Sequence, residues 1–492
     1  VLPDVGRLGL RLPLSLAPAL LLGWVPLAAQ DPGMDSAEVG RALEELALYQ
    51  ADLHRFEADG VYHGPQLVEP LSRIADRYMD LNRFAEANAT LDRAQQIVRI
   101  EEGLFTKSQL PFLHRKIENH VNSGNWREAR KLQDHIIWFY LNKYSWPDQN
   151  MMRGMLELSQ LHLRGITEDD EENRGYHYLR AAYSSRIALR VADNIWPRHE
   201  QRKAGLIYEQ LRIMYLQASA INKGGSTGQS LRTSESRPLS SNGYLAERVV
   251  PPESAVEQLR IGGQRYLGRI ERIYTGEDKS ENAEALAMVR LYDADWRLLF
   301  DQKRQALEAY REAHEMLLGA GVPRDRVDEL FATPALIPMP QFHDSVEKAL
   351  AARERAPIDA PAAFGEGIPV KIFFDRERSG PRPPVPPPRS LGLPAETLGL
   401  HEGNDWQVVA LFSFHLPAAE DIETRAGWRR RNALGVAQDL QLIELEDYPV
   451  YREPEPLIRN LSRLRFRPGL TAGEPHAATG VISYLAAAEA SR

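Results

Sequence analysis

The first half of the chain spaces its apolar residues with the period of an α-helix. Leu67, Leu71 and Ile74 lie three or four residues apart, with polar residues between them. This spacing places the apolar side chains on one face of a helix. The same pattern recurs along the chain, so the region 36–222 is predicted to consist of successive amphipathic helices.

Within this region the sequence repeats itself. Phe84 and Trp126 are aromatic residues 42 positions apart, each followed by a similar Glu- and Ala-containing segment. Upstream, Gly60 and Gly103 open two similar segments that are 43 positions apart. Because two independent pairs give nearly one period, the chain contains an internal structural repeat.

The repeat resembles a known family through its small residues. Ala87 and Ala129 follow the two aromatics by three positions, where a small side chain lets helices approach closely. This arrangement resembles the tetratricopeptide repeat, with longer helices and connections than the usual ~34 residues. The resemblance returns at 283–317. It implies about four or five stacked helix pairs, a helical solenoid whose concave face binds a peptide or protein.

Two further segments complete the helical part of the prediction. The stretch 223–252 is rich in Gly, Ser and Thr, and it is predicted to be a flexible loop. Residues 253–355 are predicted to form further helical repeats.

After about residue 355 the pattern changes from helix to strand. Alternating apolar and polar residues predict four strands. The predicted strands are 367–375, 405–416, 434–447 and 478–486. Residues 356–400 are interpreted as a Pro-rich linker that contains the first strand. Residues 401–492 are predicted to form a separate, β-containing module.

The end of this module carries a second resemblance. A short predicted helix at 455–464 leads into the block RFRP at 465–468, followed by Gly473, Pro475 and Tyr484. This order resembles the C-terminal domain of TonB-type energy transducers. The resemblance implies a small α+β interaction domain outside the cytoplasm, whose sheet edge pairs with a partner strand. The overall fold is therefore predicted to be mostly α, a tetratricopeptide-like solenoid followed by a TonB-C-like domain.

The basic residues of this terminal segment are the candidate partner-binding residues. Arg459, Arg463, Arg465 and Arg467 alternate with apolar residues and are predicted to be exposed. Such residues would attract an anionic partner, for example a lipid headgroup, peptidoglycan or an acidic protein. The alternative is that they pair with Asp and Glu side chains within the fold.

Candidate chemistry is sparse. The segment GGSTG at 224–228 fits the pattern GxSxG, but a nucleophile elbow follows a strand, and here a helix precedes it. The acidic segment 167–175 lacks the alternating Asp and central Gly of a calcium loop, and is interpreted as the start of the next helix. His114 and His120 fall on different helix faces. We therefore predict no enzyme activity, no metal and no cofactor.

Composition narrows the class of protein. The 492 residues are 43% hydrophobic and 26% charged, with a formal net charge of −8 and no cysteine. These values are ordinary for a soluble protein of several domains and argue against a nucleic-acid partner. Absence of cysteine excludes disulfides and thiol chemistry.

The first 29 residues predict the compartment. Arg7 and Arg11 precede an apolar run that ends in small residues at Ala28 and Ala29. This is the pattern of a secretory signal peptide, and the alternative is an uncleaved membrane anchor. The prediction is thus a periplasmic, non-enzymatic scaffold that binds a protein or peptide of the cell envelope. Membrane contact is expected only if that segment is retained. The alternatives are an anchored transducer component and an enzyme with an unrecognised site.

Overall fold

The structure is a computed structural model. It describes residues 36–143, 148–235, 247–275, 282–355, 370–374, 406–418, 434–445, 458, 462–471 and 473–487. Within these ranges the protein is mostly helical, with 14 α-helices and a few small sheets near the C-terminal end.

Helices form nearly all of the region up to residue 355, as the apolar spacing predicts. The first eight are α1 (Ser36–Ala58), α2 (Val68–Asp80), α3 (Phe84–Glu102), α4 (Leu110–Asn122), α5 (Trp126–Lys143), α6 (Gln149–Glu168), α7 (Arg174–Ile195) and α8 (Arg202–Lys223). The others are α9 (Gly225–Arg232), α10 (Pro252–Tyr274), α11 (Ala283–Leu299), α12 (Lys303–Gly319), α13 (Arg324–Ala332) and α14 (Val346–Arg355). None of these helices combines the length and the hydropathy needed to cross a bilayer.

The internal repeat is visible in the element bounds. A 3₁₀ turn precedes α2 at Pro65–Leu67, and another precedes α4 at Lys107–Gln109. The helices α2 and α4 each have 13 residues and begin 42 residues apart, as do α3 and α5. Asn82 and Gly124 end the shorter helices with positive φ, 55° and 71°. A left-handed residue stops the helix and turns the chain into the next one.

The predicted loop at 223–252 is wrong in part. Helix α9 occupies Gly225–Arg232, and the strands β1 (Thr233–Glu235) and β2 (Glu247–Val249) pair antiparallel after it. Arg232 holds the pair together, because its guanidinium donates to the carbonyls of Gly228 and Val250, both at 3.2 Å.

The predicted strands are confirmed and form one antiparallel sheet. They are β4 (Val370–Phe374), β5 (Trp406–Leu416), β6 (Gln438–Leu445) and β10 (Ala478–Ala487), in the order β4-β10-β5-β6. The last strand is therefore internal, and Ile482 pairs with Phe412 on one side. The strand assigned to the Pro-rich linker is an edge of this sheet, because β4 pairs with β10.

The C-terminal part does not form a separate module. Strand β3 (Ala335–Ile337), in the helical part, pairs antiparallel with β7 (Arg465–Arg467). Strands β8 (Gly469–Thr471) and β9 (Glu474–His476) form a hairpin, and β8 packs on α13. Leu434 and Leu470 belong to the same buried core as α10–α14. The two parts share apolar core, so they stabilise each other.

Several predicted features fall elsewhere. Residues 1–29 and most of 356–400 lie outside the described residues. In the predicted helix 455–464, Ile458 is helical, and Leu464 is buried but lies after a turn and not in a helix.

Candidate functional site

The four candidate arginines do not form one exposed patch. Arg463 is exposed and Arg465 is half-buried, whereas Arg459 lies outside the described residues. Arg467 is 2% exposed, so the prediction that it faces solvent is wrong. The cause is the β3–β7 pairing, which turns its side chain into the helical part.

Arg467 pairs with a buried aspartate of α11. Its Nε donates to Asp295 Oδ1 at 2.9 Å and its Nη2 to Oδ2 at 2.5 Å, the two-point geometry that suits arginine. Tyr310 Oη donates to the same Oδ1 at 2.7 Å. Burial alone would lower the pKa of the Arg467 guanidinium, but Asp295 outweighs burial and raises it. This residue therefore joins two parts of the fold, as the pairing alternative predicts, and presents no surface to a partner.

The acidic segment 167–175 likewise turns one carboxylate inward. Asp169 is 8% exposed and accepts hydrogen bonds from Arg130 and from His177 Nε2, the latter at 2.8 Å. Burial alone would raise the pKa of Asp169, but these hydrogen bonds hold it below its usual value. The rest of the segment fits the interpretation as a helix start, since a 3₁₀ turn at Glu171–Asn173 leads into α7.

A second histidine extends this cluster. Because a carboxylate only accepts, His177 carries its proton on Nε2, and its Nδ1 then accepts from His162 Nδ1 at 3.1 Å. His162 Nε2 is buried without a partner. Both imidazoles are fully buried, so no atom of the chain Asp169–His177–His162 reaches a substrate. The sequence signal was missed because the histidines lie 15 residues apart, on two helices.

The other candidate motifs stay apart in space. Ser226 of GGSTG is exposed on α9, directly after α8 rather than after a strand. His114 and His120 are half-buried on α4, and His114 lies 3.7 Å from Glu157. Among the described residues no group of three His, Asp or Glu side chains is placed to hold a metal ion.

A groove on the first helix pair is the best candidate binding site. It has a volume of about 380 Å³ and lies between α1, α2 and α3. Its residues are Gln50, Leu53, His54, Glu57, Leu71, Ile74, Tyr78, Ala89, Thr90 and Arg93. On each helix they are spaced three or four residues apart or adjacent, so each helix contributes one face. None of these positions was singled out as a functional residue from the sequence.

The groove combines an apolar floor with a polar rim. Leu71 and Ile74 are buried beneath it, 2% and 3% exposed. On the rim Arg93 Nη1 lies 2.8 Å from Glu57 Oε1. The hydrogen bond from Arg93 lowers the pKa of the Glu57 carboxyl, which stays charged at neutral pH. Gln50 Nε2 donates to Tyr78 Oη at 2.9 Å.

The second copy of the repeat carries different chemistry at the matching positions. Counting 42 residues on, Lys116 stands in place of Ile74 and Leu132 in place of Thr90. The Lys116 ammonium reaches Asp92 on α3 at 2.5 Å. The apolar floor therefore belongs to the first pair. Chemically, the groove can take an apolar side chain on its floor and hydrogen-bond a backbone at its rim.

No family model matches the chain, and no curated protein matches it either. Function therefore rests on the geometry of the described residues, with the groove as its centre.

Proposed function

We propose that the protein is an exported, non-enzymatic scaffold that binds a peptide or protein segment of the cell envelope. Its helices stack as tetratricopeptide-like pairs, and the groove between α1, α2 and α3 takes the partner. The observation that carries this proposal is the groove's apolar floor, Leu71 and Ile74, below a charged rim, Glu57 and Arg93.

The groove suits a peptide better than a small polar ligand. An apolar side chain buried on its floor contributes roughly 1.5–3 kcal/mol, while Gln50 and Tyr78 offer hydrogen bonds to the peptide backbone. A linear segment would lie along the three helices, since each contributes one face. Recognition by apolar anchors in a helical groove is a common mode of peptide binding.

The C-terminal part makes a second contact in this proposal. Its four-stranded sheet has the edges β4 and β6, and a partner strand can add to such an edge. The RFRP block supports a TonB-C-like fold, in which Phe466 is core and packs on Phe414 at 5.2 Å. The buried Arg467–Asp295 pair leaves the sheet edges rather than the arginines as the contact surface.

The groove is tested by filling it. A benzophenone side chain placed at Ala89 in the full chain identifies the segment that crosslinks in cells, and a peptide of that sequence is then titrated. We expect Ala89→Trp to weaken peptide binding at least tenfold, because the indole occupies the groove. Ala85→Trp is the matched control, since Ala85 is also exposed on α3 but outside the groove. Equal affinities for the two variants would contradict the groove as binding site.

The export part is tested separately. The N-terminus of the protein recovered from cells is sequenced, and a start near Gln30 is expected. A retained apolar segment would instead indicate the anchored, transducer-type version of the protein.

A further inference from the structure

A second cleft lies far from the groove in sequence, where α7 leads into α8 and both meet α10. It has a volume of about 630 Å³, within the range of small-molecule sites. Helix α8 packs along α10 and against α7, so the walls of the cleft are three long helices rather than loops.

The cleft collects positive charge in an acidic protein. Four cationic side chains line it, Arg198, Lys203, Arg269 and Arg272, against one carboxylate, Asp193. The protein as a whole carries a net charge of −8. The local excess of cations therefore runs against the overall charge of the chain.

Asp193 neutralises part of this charge and fixes its geometry. Its Oδ2 accepts from Arg269 Nη2 at 2.8 Å, and its Oδ1 lies 3.7 Å from Lys203 Nζ. Lys203 is 5% exposed, which is rare for a lysine and holds its ammonium in one place. Arg269 also lies over the ring of Tyr266, with 5.5 Å from guanidinium carbon to ring centroid.

The two remaining arginines keep their charge unpaired. Arg198 and Arg272 are exposed, and neither has an ion pair with a carboxylate in the described ranges. The nearby Glu200 is occupied by Arg202, whose Nε lies 2.8 Å from it. Two guanidinium groups are thus free to bind an anion at the mouth of the cleft.

The cleft is held open by a hydrogen bond between its walls. His199 Nδ1 donates to the carbonyl of Ile273 at 3.2 Å, joining the α7–α8 connection to α10. Ile207 and Ile273 are buried at the lining, 1% and 6% exposed. The cleft therefore has a cationic mouth and an apolar inner surface, a combination that fits an anion attached to an organic group.

We propose that this cleft binds a molecule that carries a phosphate group, with its oxygens on Arg198, Arg272 and the Arg269–Lys203 pair. Planar guanidinium groups match phosphate oxygens in pairs, and several cations together suit a doubly charged anion. The organic part lies against Ile207 and Ile273. The volume exceeds what inorganic phosphate alone would fill. This site is independent of the peptide groove.

The test uses calorimetric titration of the full chain with glycerol 3-phosphate, inorganic phosphate and glycerol. We expect saturable binding of both phosphates, tighter for glycerol 3-phosphate, and none of glycerol. Arg198→Ala and Arg272→Ala should each weaken binding about tenfold or more, because each removes charged hydrogen bonds. Added salt should weaken it further.

Arg265→Ala is the matched control, since Arg265 is exposed on α10 but outside the cleft. Flotation with vesicles containing phosphatidylglycerol distinguishes the sources. Binding to vesicles that depends on Arg198 and Arg272, without binding of the soluble phosphates, assigns the phosphate to a lipid headgroup. The proposal is overturned if neither soluble phosphate nor vesicle binds, or if binding is the same in the Arg198, Arg272 and Arg265 variants.

Discussion

Two buried aspartates, Asp295 and Asp169, hold their cationic partners in different ways. Asp295 receives both donors of one guanidinium, from Arg467, together with the hydroxyl of Tyr310. Asp169 shares its charge between Arg130 and His177, behind which lies a second imidazole. The first cluster contains no group that titrates near neutral pH, whereas the second contains two. One is therefore a permanent clamp, and the other depends on pH.

The largest effect is expected at the clamp. Arg467→Ala leaves the Asp295 carboxylate buried without its cation, which costs about 3–5 kcal/mol of folding free energy. Urea unfolding of the full chain, followed by circular dichroism, measures this loss as a lower midpoint. Arg463→Ala is the control, because Arg463 is exposed and its loss should change stability by at most about 0.5 kcal/mol. Similar midpoints for the two variants would show that the clamp stabilises nothing.

The next effect is the pH dependence of the histidine cluster. Burial lowers the pKa of His162, with His177 and Arg180 adding to it, and burial also lowers the pKa of His177 against the pull of Asp169. A lowered histidine pKa stabilises the fold above the unfolded value near 6.5, and this stabilisation is lost as pH falls below it. Each imidazole that stays neutral costs up to about 1.4 kcal/mol per pH unit there.

A variant separates this cluster from the other histidines. His114, His120, His135 and His476 also have lowered pKa values from burial, so the wild-type slope contains them all. His162→Gln should make the fall in stability between pH 6.5 and 5 shallower, because one buried imidazole is removed. The measurement is the urea midpoint at each pH. An unchanged slope would mean that His162 is not a buried neutral base.

A smaller effect is expected from crowding the histidine cluster. A Cβ on Gly165 would lie 2.4 Å from His177 Cε1, so Gly165→Ala must shift the ring away from Asp169. Overpacking of this kind costs about 1–3 kcal/mol. Gly205→Ala is matched to it, since Gly205 is also within a helix but has no atom within 4 Å of the added Cβ. That control should gain up to about 1 kcal/mol from helix propensity, so thermal midpoints that fall equally would contradict the crowding.

The smallest effect returns to the clamp. Tyr310→Phe removes one neutral donor to Asp295 and leaves both bonds from Arg467 in place. A loss of about 1 kcal/mol is expected, measured in the same urea titration. In the background of Arg467→Ala the loss should grow, because Tyr310 then becomes a main donor to the carboxylate. Additive effects of the two substitutions would show that the donors act independently.

Much of the fold could be predicted because it depends on neighbours in sequence. The apolar stripe Leu67, Leu71 and Ile74 is buried, and the four predicted strands form one sheet. The 42-residue repeat sets the bounds of α2 to α5. By contrast, helix α9 was missed, because Gly, Ser and Thr have low helix propensity and their contacts with α7 and α8 override it.

The candidate sites were harder to predict, since each joins distant segments. The groove is built from three helices, and only Leu71, Ile74 and Tyr78 were already recognised as one helix face. The phosphate cleft brings Arg198 to Arg272, which are 74 residues apart. Spacing along one helix cannot indicate that such residues meet.

The block at 465–467 separates what the sequence determined from what the tertiary structure decided. Alternation with Phe466 inward, and the end of the element at Pro468, follow from local patterning and proline geometry. The position of Arg467 depends on β3, on α11 and on Asp295, 172 residues away. A charge can be buried only where an opposite charge waits for it, and that condition is met in space rather than along the chain.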